Sequence, residues 1–128
     1  MAKARKPLRR KSAKRIALEK ETNPARHKFV EDVGTCMICR QRPAQDPHEI
    51  PRGPAREKAL REPRSWLAVC RICHDELDDF VQWPIARQIA VRMYWEIEQT
   101  CFIINELRCR AQTDCTPSDV LEWLANGQ

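Results

Sequence analysis

The sequence lacks any run of about 18 or more apolar residues, the length that a helix needs to cross a bilayer. It also lacks an apolar segment behind the charges of its N-terminus, so it shows no secretory signal. These two absences predict a cytoplasmic protein with no membrane partner. At 128 residues the chain predicts one small domain, whose core needs either good helix packing or a staple such as a metal ion.

The cysteines are the candidate ligands of such a metal ion. The sequence has seven, and an odd number argues against a closed disulfide framework. Four of them form two CxxC pairs on either side of residues 40–69: Cys36, Cys39, Cys70 and Cys73. In a reducing compartment, thiolates at this spacing are typical ligands of one tetrahedral Zn²⁺. We predict a closed structural zinc site without an open coordination position; four buried or reactive cysteines without metal are the alternative.

The basic residues are concentrated at the N-terminus. The net charge is +5, but residues 1–28 hold 11 Lys or Arg against two Glu and carry +9. The rest therefore carries −4, the difference between these values. Because residues 1–28 contain few large apolar side chains, we predict a basic tail that is disordered, or helical only on binding, and that binds a phosphate backbone. A tail that only keeps the protein in solution is the alternative. The predicted contact residues are Lys3, Arg5, Lys6, Arg9, Arg10, Lys11, Lys14 and Arg15.

Residues 29–82 predict a small α+β core around the two cysteine pairs. Residues 29–46 predict a short strand or turn leading into the first pair, and a high density of proline makes residues 40–64 mostly irregular. The segments HEI and SWLAV have the length and composition of strands. The segment HDELDDFVQ predicts a helix, because its acidic residues crowd into the first turn.

Residues 83–128 predict helices that pack on this core. Apolar side chains recur every three or four residues from Ile85 to Ala111, as in an amphipathic helix, and we expect a break near Gln99 or Thr100 because the helix would be long. The segment TPSDVLEWL predicts a second helix. Cys101 lies on the apolar stripe and is predicted to be core, whereas Cys109 and Cys115 have no assigned role. The four tryptophans are predicted to pack between elements: Trp66, Trp83, Trp95 and Trp123.

The order CMIC, HEIPRG and SWLAVCRICH resembles the HNH endonucleases with a zinc-knuckle frame, members of the ββα-metal or His-Me finger group. The resemblance covers roughly residues 33–80, and the predicted helices that follow are similar in placement to those of small phage-type HNH proteins with an HEI and RG pattern. It implies a zinc-stapled ββα-metal core followed by C-terminal helices. It also implies a catalytic divalent ion, Mg²⁺ or else Mn²⁺ or Ni²⁺, in addition to the zinc.

The resemblance assigns roles by position. His48 falls on the metal-binding slot of the first motif, Glu49 on the general-base slot and His74 on the final metal-binding slot. Ser65 stands where the family has its middle Asn, and serine is a poorer metal ligand. A one-residue slip is the alternative, with His48 as the base and Glu49 as a ligand or an orienting carboxylate. The sequence leaves both assignments open.

The resemblance implies a metal-dependent DNA endonuclease of low specificity or nicking character, located in the host cytoplasm if phage-encoded. Arg52 and Arg56 would act as phosphate clamps, and a solvated loop without a ligand is the alternative. Further DNA contacts between the cysteine pairs are predicted for Lys58, Arg61 and Arg64. Two alternatives belong to other classes: a catalytically weak zinc-stabilised DNA-binding module, and a zinc-folded adaptor that binds a protein partner through its C-terminal helices.

Overall fold

The computed structural model describes residues 12–107 and 116–126. It is α+β, as predicted, and mostly helical with one small sheet. Among the helices of these residues, none combines the length and apolar character that a membrane span requires. In chain order the elements are α1 (Ala13–Val33), β1 (Asp46–Glu49), α2 (Ala55–Ala59), a 3₁₀ turn (Pro63–Ser65), β2 (Trp66–Val69), α3 (Arg71–Glu76), α4 (Ile85–Leu107) and α5 (Pro117–Ala125).

Helix α1 corrects the prediction that residues 1–28 are disordered, because residues 13–28 are helical. Its first turn is capped by Ser12, whose Oγ accepts a hydrogen bond from the Arg15 N–H at 3.1 Å. It ends at Gly34, which adopts the positive φ of 78° that favours glycine. The helix continues beyond residue 28 to Phe29 and Val30, which pack into the core. The prediction treated residues 1–28 as a separate segment. It therefore left out Phe29 and Val30, the apolar end that anchors the helix.

The two predicted strands form an antiparallel hairpin. Strand β1 begins two residues before the HEI segment, and its His48 lies opposite Leu67 of β2. Strand β2 is buried along its whole length, and Leu67 is fully inaccessible to solvent. Trp66 is also buried, and its ring makes an edge contact with Phe29 of α1 at a centroid distance of 5.7 Å. Helix α1 thus covers one face of the hairpin.

The segments around the hairpin differ from the sequence prediction in detail. Residues 40–64, predicted to be mostly irregular, contain the short helix α2 and the 3₁₀ turn. Helix α3 starts at Arg71 and ends at Glu76, so most of the predicted HDELDDFVQ helix consists of turns. The predicted break near Gln99 or Thr100 is absent, because α4 is continuous from Ile85 to Leu107.

Helix α4 packs on the core through a different face from the one predicted. Gln88 and Arg92 are buried, and Val91 and Trp95 pack against the core cluster. Cys101 is buried, as predicted. The remaining apolar stripe stays substantially exposed, at Ile85, Ile89, Met93, Ile104 and Leu107. Three tryptophans contribute to packing as predicted, but Trp123 on α5 is 57% exposed. Cys109 and Cys115 lie outside the described residues.

Replacing Leu67 by alanine should destabilise the fold strongly, because the side chain is fully buried in the hairpin. We expect a loss of about 2–5 kcal/mol in the free energy of unfolding. Leu107→Ala is the matched control: this leucine is 77% exposed, and its truncation should change stability by less than about 0.5 kcal/mol. Urea denaturation followed by tryptophan fluorescence, with zinc present, measures both. Equal losses in the two variants would contradict the packing described above.

Candidate functional site

The four cysteines of the CxxC pairs converge at one place. Their sulfurs all lie within 4.8 Å of one another, and three of the four residues are buried. The first pair sits in a tight turn, in which the Arg40 N–H donates to Cys36 O at 3.0 Å. The second pair begins α3, with Cys70 as its N-cap. This cluster could hold a metal ion, and four thiolates in tetrahedral reach are consistent with structural zinc.

Arg42 supports the cluster from outside, a contact that the sequence analysis missed. Its Nε lies 3.1 Å from Cys70 Sγ, and its Nη2 lies 3.4 Å from Cys73 Sγ. Burial opposes ionisation of Cys70, but the hydrogen bonds from Arg42 and from the Cys73 backbone prevail and lower the pKa of its thiol to about 6. A guanidinium at this position favours the thiolate form of Cys70. Burial has the opposite effect on Cys73 and raises the pKa of its thiol to about 12.

His48 and His74 lie side by side on the hairpin and the helix that follows it. Their ring centroids are 5.3 Å apart, and the ring planes make an angle of 76°. His48 projects from β1, while His74 lies on α3, one turn after Cys70. The structure therefore brings together the two histidines that the sequence analysis placed at one metal site. Neither histidine belongs to the cysteine cluster.

His48 is buried and bonded to α4. Its Nε2 lies 2.9 Å from Oε1 of Gln88, a fully buried residue of that helix. Burial is the main reason why the pKa of His48 is lowered below its usual value near 6.5, and the neighbouring His74 lowers it further. The imidazole is therefore neutral at pH 7, the state in which it can bind a metal ion or accept a proton.

His74 is oriented by a carboxylate that the sequence analysis did not single out. Its Nδ1 lies 3.3 Å from Asp46 Oδ2. Asp46 precedes His48 by two residues on β1, and side chains at that spacing project from the same face of a strand. The alternation of side chains along a strand could therefore have placed Asp46 on the same face as His48. A carboxylate that holds one nitrogen of a histidine leaves the other nitrogen free for a metal ion.

Glu49 is engaged by helix α1. Its Oε1 lies 2.6 Å from Nη2 of Arg26, and the side chains of Glu49 and Arg26 are only 4% and 11% exposed. Arg26 is held in turn by Asn23 Oδ1 at 2.9 Å. Successive strand residues project to opposite faces, so His48 and Glu49 meet different helices. Glu49 therefore forms a buried ion pair that fastens α1 to the hairpin.

A polar cavity of about 200 Å³ opens beside the histidines. It is lined by both histidine side chains, by Glu49 and by two arginines, Arg52 and Arg56. A second cavity of about 420 Å³, between α1 and β1, shares His74, Glu49 and Arg56 with the first. The two histidines thus lie beside open space whose lining carries two arginines and two carboxylates, those of Glu49 and Asp78.

The predicted DNA contacts are distributed unevenly. Arg52 is partly engaged, since its Nη2 donates to Leu77 O at 3.0 Å and its guanidinium lies over the Phe80 ring. Arg56 is exposed at the cavity. Lys58 is exposed on α2, Arg61 pairs with Glu21 at 3.1 Å, and Arg64 lines a separate apolar cavity. Of the tail residues, Lys14 and Arg15 lie in α1, whereas Lys3, Arg5, Lys6, Arg9, Arg10 and Lys11 lie outside the described residues.

Ser65 does not line the histidine cavity. Its Oγ lies 2.7 Å from Glu62 O and 3.2 Å from Ala59 O, so the hydroxyl is directed at backbone carbonyls of the preceding loop. The backbone of Ser65 also joins the hairpin, because its carbonyl accepts from the Ile50 N–H at 2.9 Å. The residue therefore closes the loop between α2 and β2.

Within residues 12–107 and 116–126, the cysteine cluster is the one group of three or more His, Cys, Asp or Glu side chains whose ligand atoms lie close enough together to hold one metal ion. A divalent ion at the histidines would therefore depend on water or substrate oxygens for its remaining ligands. No protein-family model, curated protein sequence or solved structure matches this chain.

Zinc should be needed for folding. We expect one equivalent of zinc per chain, and removal with a chelator should abolish the cooperative unfolding transition, because metal binding closes the core. Cys70→Ser should lose the metal. The control is Cys101→Ser, which alters a buried cysteine outside the cluster and should retain one equivalent. Metal analysis and circular dichroism measure these outcomes; full zinc content in Cys70→Ser would contradict the assignment.

Breaking the Arg26–Glu49 pair should destabilise the protein, because it leaves a buried charge without its partner. We expect Arg26→Met to lower the free energy of unfolding by about 3–5 kcal/mol, and the double variant Arg26→Met with Glu49→Met to recover part of that loss. Arg61→Met breaks the exposed pair with Glu21, whose side chains are 60% and 61% exposed, and should cost less than about 1 kcal/mol. Chemical denaturation measures the free energy of unfolding of each variant. A similar small loss in Arg26→Met and Arg61→Met would refute the role of the Arg26–Glu49 pair in fastening α1 to the hairpin.

Proposed function

We propose that this protein is a divalent-metal-dependent DNA endonuclease of the HNH type, and that it hydrolyses phosphodiester bonds with low sequence specificity. One observation carries the proposal: the His48–His74 pair lies on a hairpin and helix joined by the cysteine cluster, beside an arginine-lined cavity. Imidazoles next to guanidinium groups suit a substrate whose reacting group is a phosphate.

The divalent ion would neutralise charge on the scissile phosphate and stabilise the leaving oxygen. His74 would hold it through the nitrogen that Asp46 leaves free. His48 would accept the proton of the attacking water, because burial keeps its imidazole neutral. Arg56, which is exposed at the cavity, would bind the phosphate, and Arg52 lines the same cavity. The pairing of Glu49 with Arg26 supports His48 over Glu49 as the base.

A zinc-stabilised DNA-binding module is the second candidate. It is favoured by the small number of converging ligands, since the histidine pair is not part of any three-residue metal cluster in the described residues. The hydroxyl of Ser65 is bonded to backbone carbonyls, which also favours this candidate because the family has its middle Asn at this position. This candidate uses the same cavity arginines and the exposed basic residues of α1, and it predicts salt-sensitive binding without cleavage.

Nicking of supercoiled plasmid by zinc-loaded protein distinguishes the two candidates. With Mg²⁺, Mn²⁺ or Ni²⁺ added, we expect the wild type to nick and both His48→Ala and His74→Ala to lose at least about 100-fold in rate, because each removes a group that contacts water or metal. Asp75→Ala is the control, since this exposed residue is next to His74 on α3 but does not line the cavity.

The zinc content of each variant is measured alongside, so that unfolding is not mistaken for loss of chemistry. Nicking that persists in zinc-loaded His74→Ala would overturn the nuclease proposal. Binding of the plasmid without nicking in any of the three metals would establish the DNA-binding module in its place.

A further inference from the structure

Gln88 is a buried amide at the centre of the molecule. It belongs to α4, is fully inaccessible to solvent and lies between β1 and the backbone of the preceding turn. A buried amide is costly unless its donors and its acceptor have partners. Gln88 has a partner on each side: the His48 ring at 2.9 Å and the carbonyl oxygen of Trp83 at 2.9 Å.

These two contacts determine which way the amide faces. The Trp83 carbonyl can only accept a hydrogen bond, so the Gln88 group that meets it is the donating Nε2. The carbonyl oxygen of the amide, Oε1, therefore faces His48 Nε2. Because Oε1 can only accept, the His48 nitrogen in this contact has to carry a hydrogen.

We propose that Gln88 is a positioning residue that holds His48 in the Nε2–H tautomer and thereby makes Nδ1 the nitrogen offered to the attacking water. The proposal rests on the function proposed above, since it specifies how the base of that site is prepared. A neutral imidazole has one hydrogen and one lone pair, and fixing the hydrogen on Nε2 leaves the lone pair on Nδ1. Gln88 itself touches neither water nor substrate in this role.

The same hydrogen bonds also fix the orientation of the ring. The backbone of His48 is held in register by β2, and the ring is held from α4 by Gln88. Two supports from different elements allow little rotation of the imidazole. A general base acts efficiently only when its nitrogen is already directed at the proton that it removes.

The tautomer can be read directly by NMR on zinc-loaded protein with ¹⁵N-labelled histidine. Long-range ¹H–¹⁵N correlation of the His48 ring should show a protonated Nε2 and an unprotonated Nδ1 in the wild type at neutral pH. In Gln88→Met, which removes the acceptor at similar size, both tautomers should be populated. Gln88→Glu keeps an acceptor oxygen and should restore the Nε2–H form. Gln99→Met is the control, because it makes the same change at an exposed position of α4.

Kinetics supply the second readout. Gln88→Met should lower kcat on the order of 10-fold to 100-fold with KM nearly unchanged, as expected for a residue that orients a reacting group. Gln88→Glu should recover part of the loss, and Gln99→Met should match the wild type.

The NMR result does not depend on cleavage, so the two proposals can fail separately. A wild-type His48 protonated on Nδ1, or a tautomer unchanged in Gln88→Met, would refute the role of Gln88 even if the protein cleaves DNA. If Gln88→Met does not fold, the wild-type spectrum still tests the proposal, because it shows which nitrogen of His48 is protonated. The expected tautomers without any nicking would leave Gln88 as the residue that positions His48 and would reject the nuclease function alone.

Discussion

The convergence of four cysteine sulfurs on one point is the constraint on which the rest of the structure depends. The first cysteine pair lies before β1, and the second lies directly after β2, so closing the cluster forces the two strands together. Cys70 is at once a potential ligand and the N-cap of α3, which fixes where that helix begins. His74 follows one turn later, and its distance from His48 is therefore set by the cluster and by the strand register.

Consecutive residues of β1 connect the hairpin to helices from opposite ends of the chain. His48 meets Gln88 of α4, and Glu49 meets Arg26 of α1. The alternation of side chains along a strand is sufficient to explain this division. It also explains why a carboxylate next to a candidate catalytic histidine can have a structural role: its direction is fixed by the strand, and an arginine is already there.

The sequence was a good guide where local patterns carry the information. CxxC spacing located the cysteine cluster, and short β-favouring segments located both strands. It failed where the deciding contacts are distant in sequence. Helix α1 has few apolar residues but is held by the Arg26–Glu49 pair and by Phe29, and α4 docks through Gln88 and Arg92 rather than through its apolar stripe. The hydrophobic pattern of a helix cannot predict that Gln88 is buried, because its partner His48 is brought to it only by tertiary packing.

The two polar contacts to β1 limit how this protein can be divided. Residues 29–82 carry the cysteines and both histidines, and the sequence predicted that they form the core on which the C-terminal helices pack. A fragment with those boundaries would keep Glu49 without Arg26 and His48 without Gln88, leaving two formerly buried polar groups unmatched. The hairpin is thus not a unit that can be moved to another protein without α1 and α4. Grafting it onto another scaffold would require transplanting one short stretch from each flanking helix along with it.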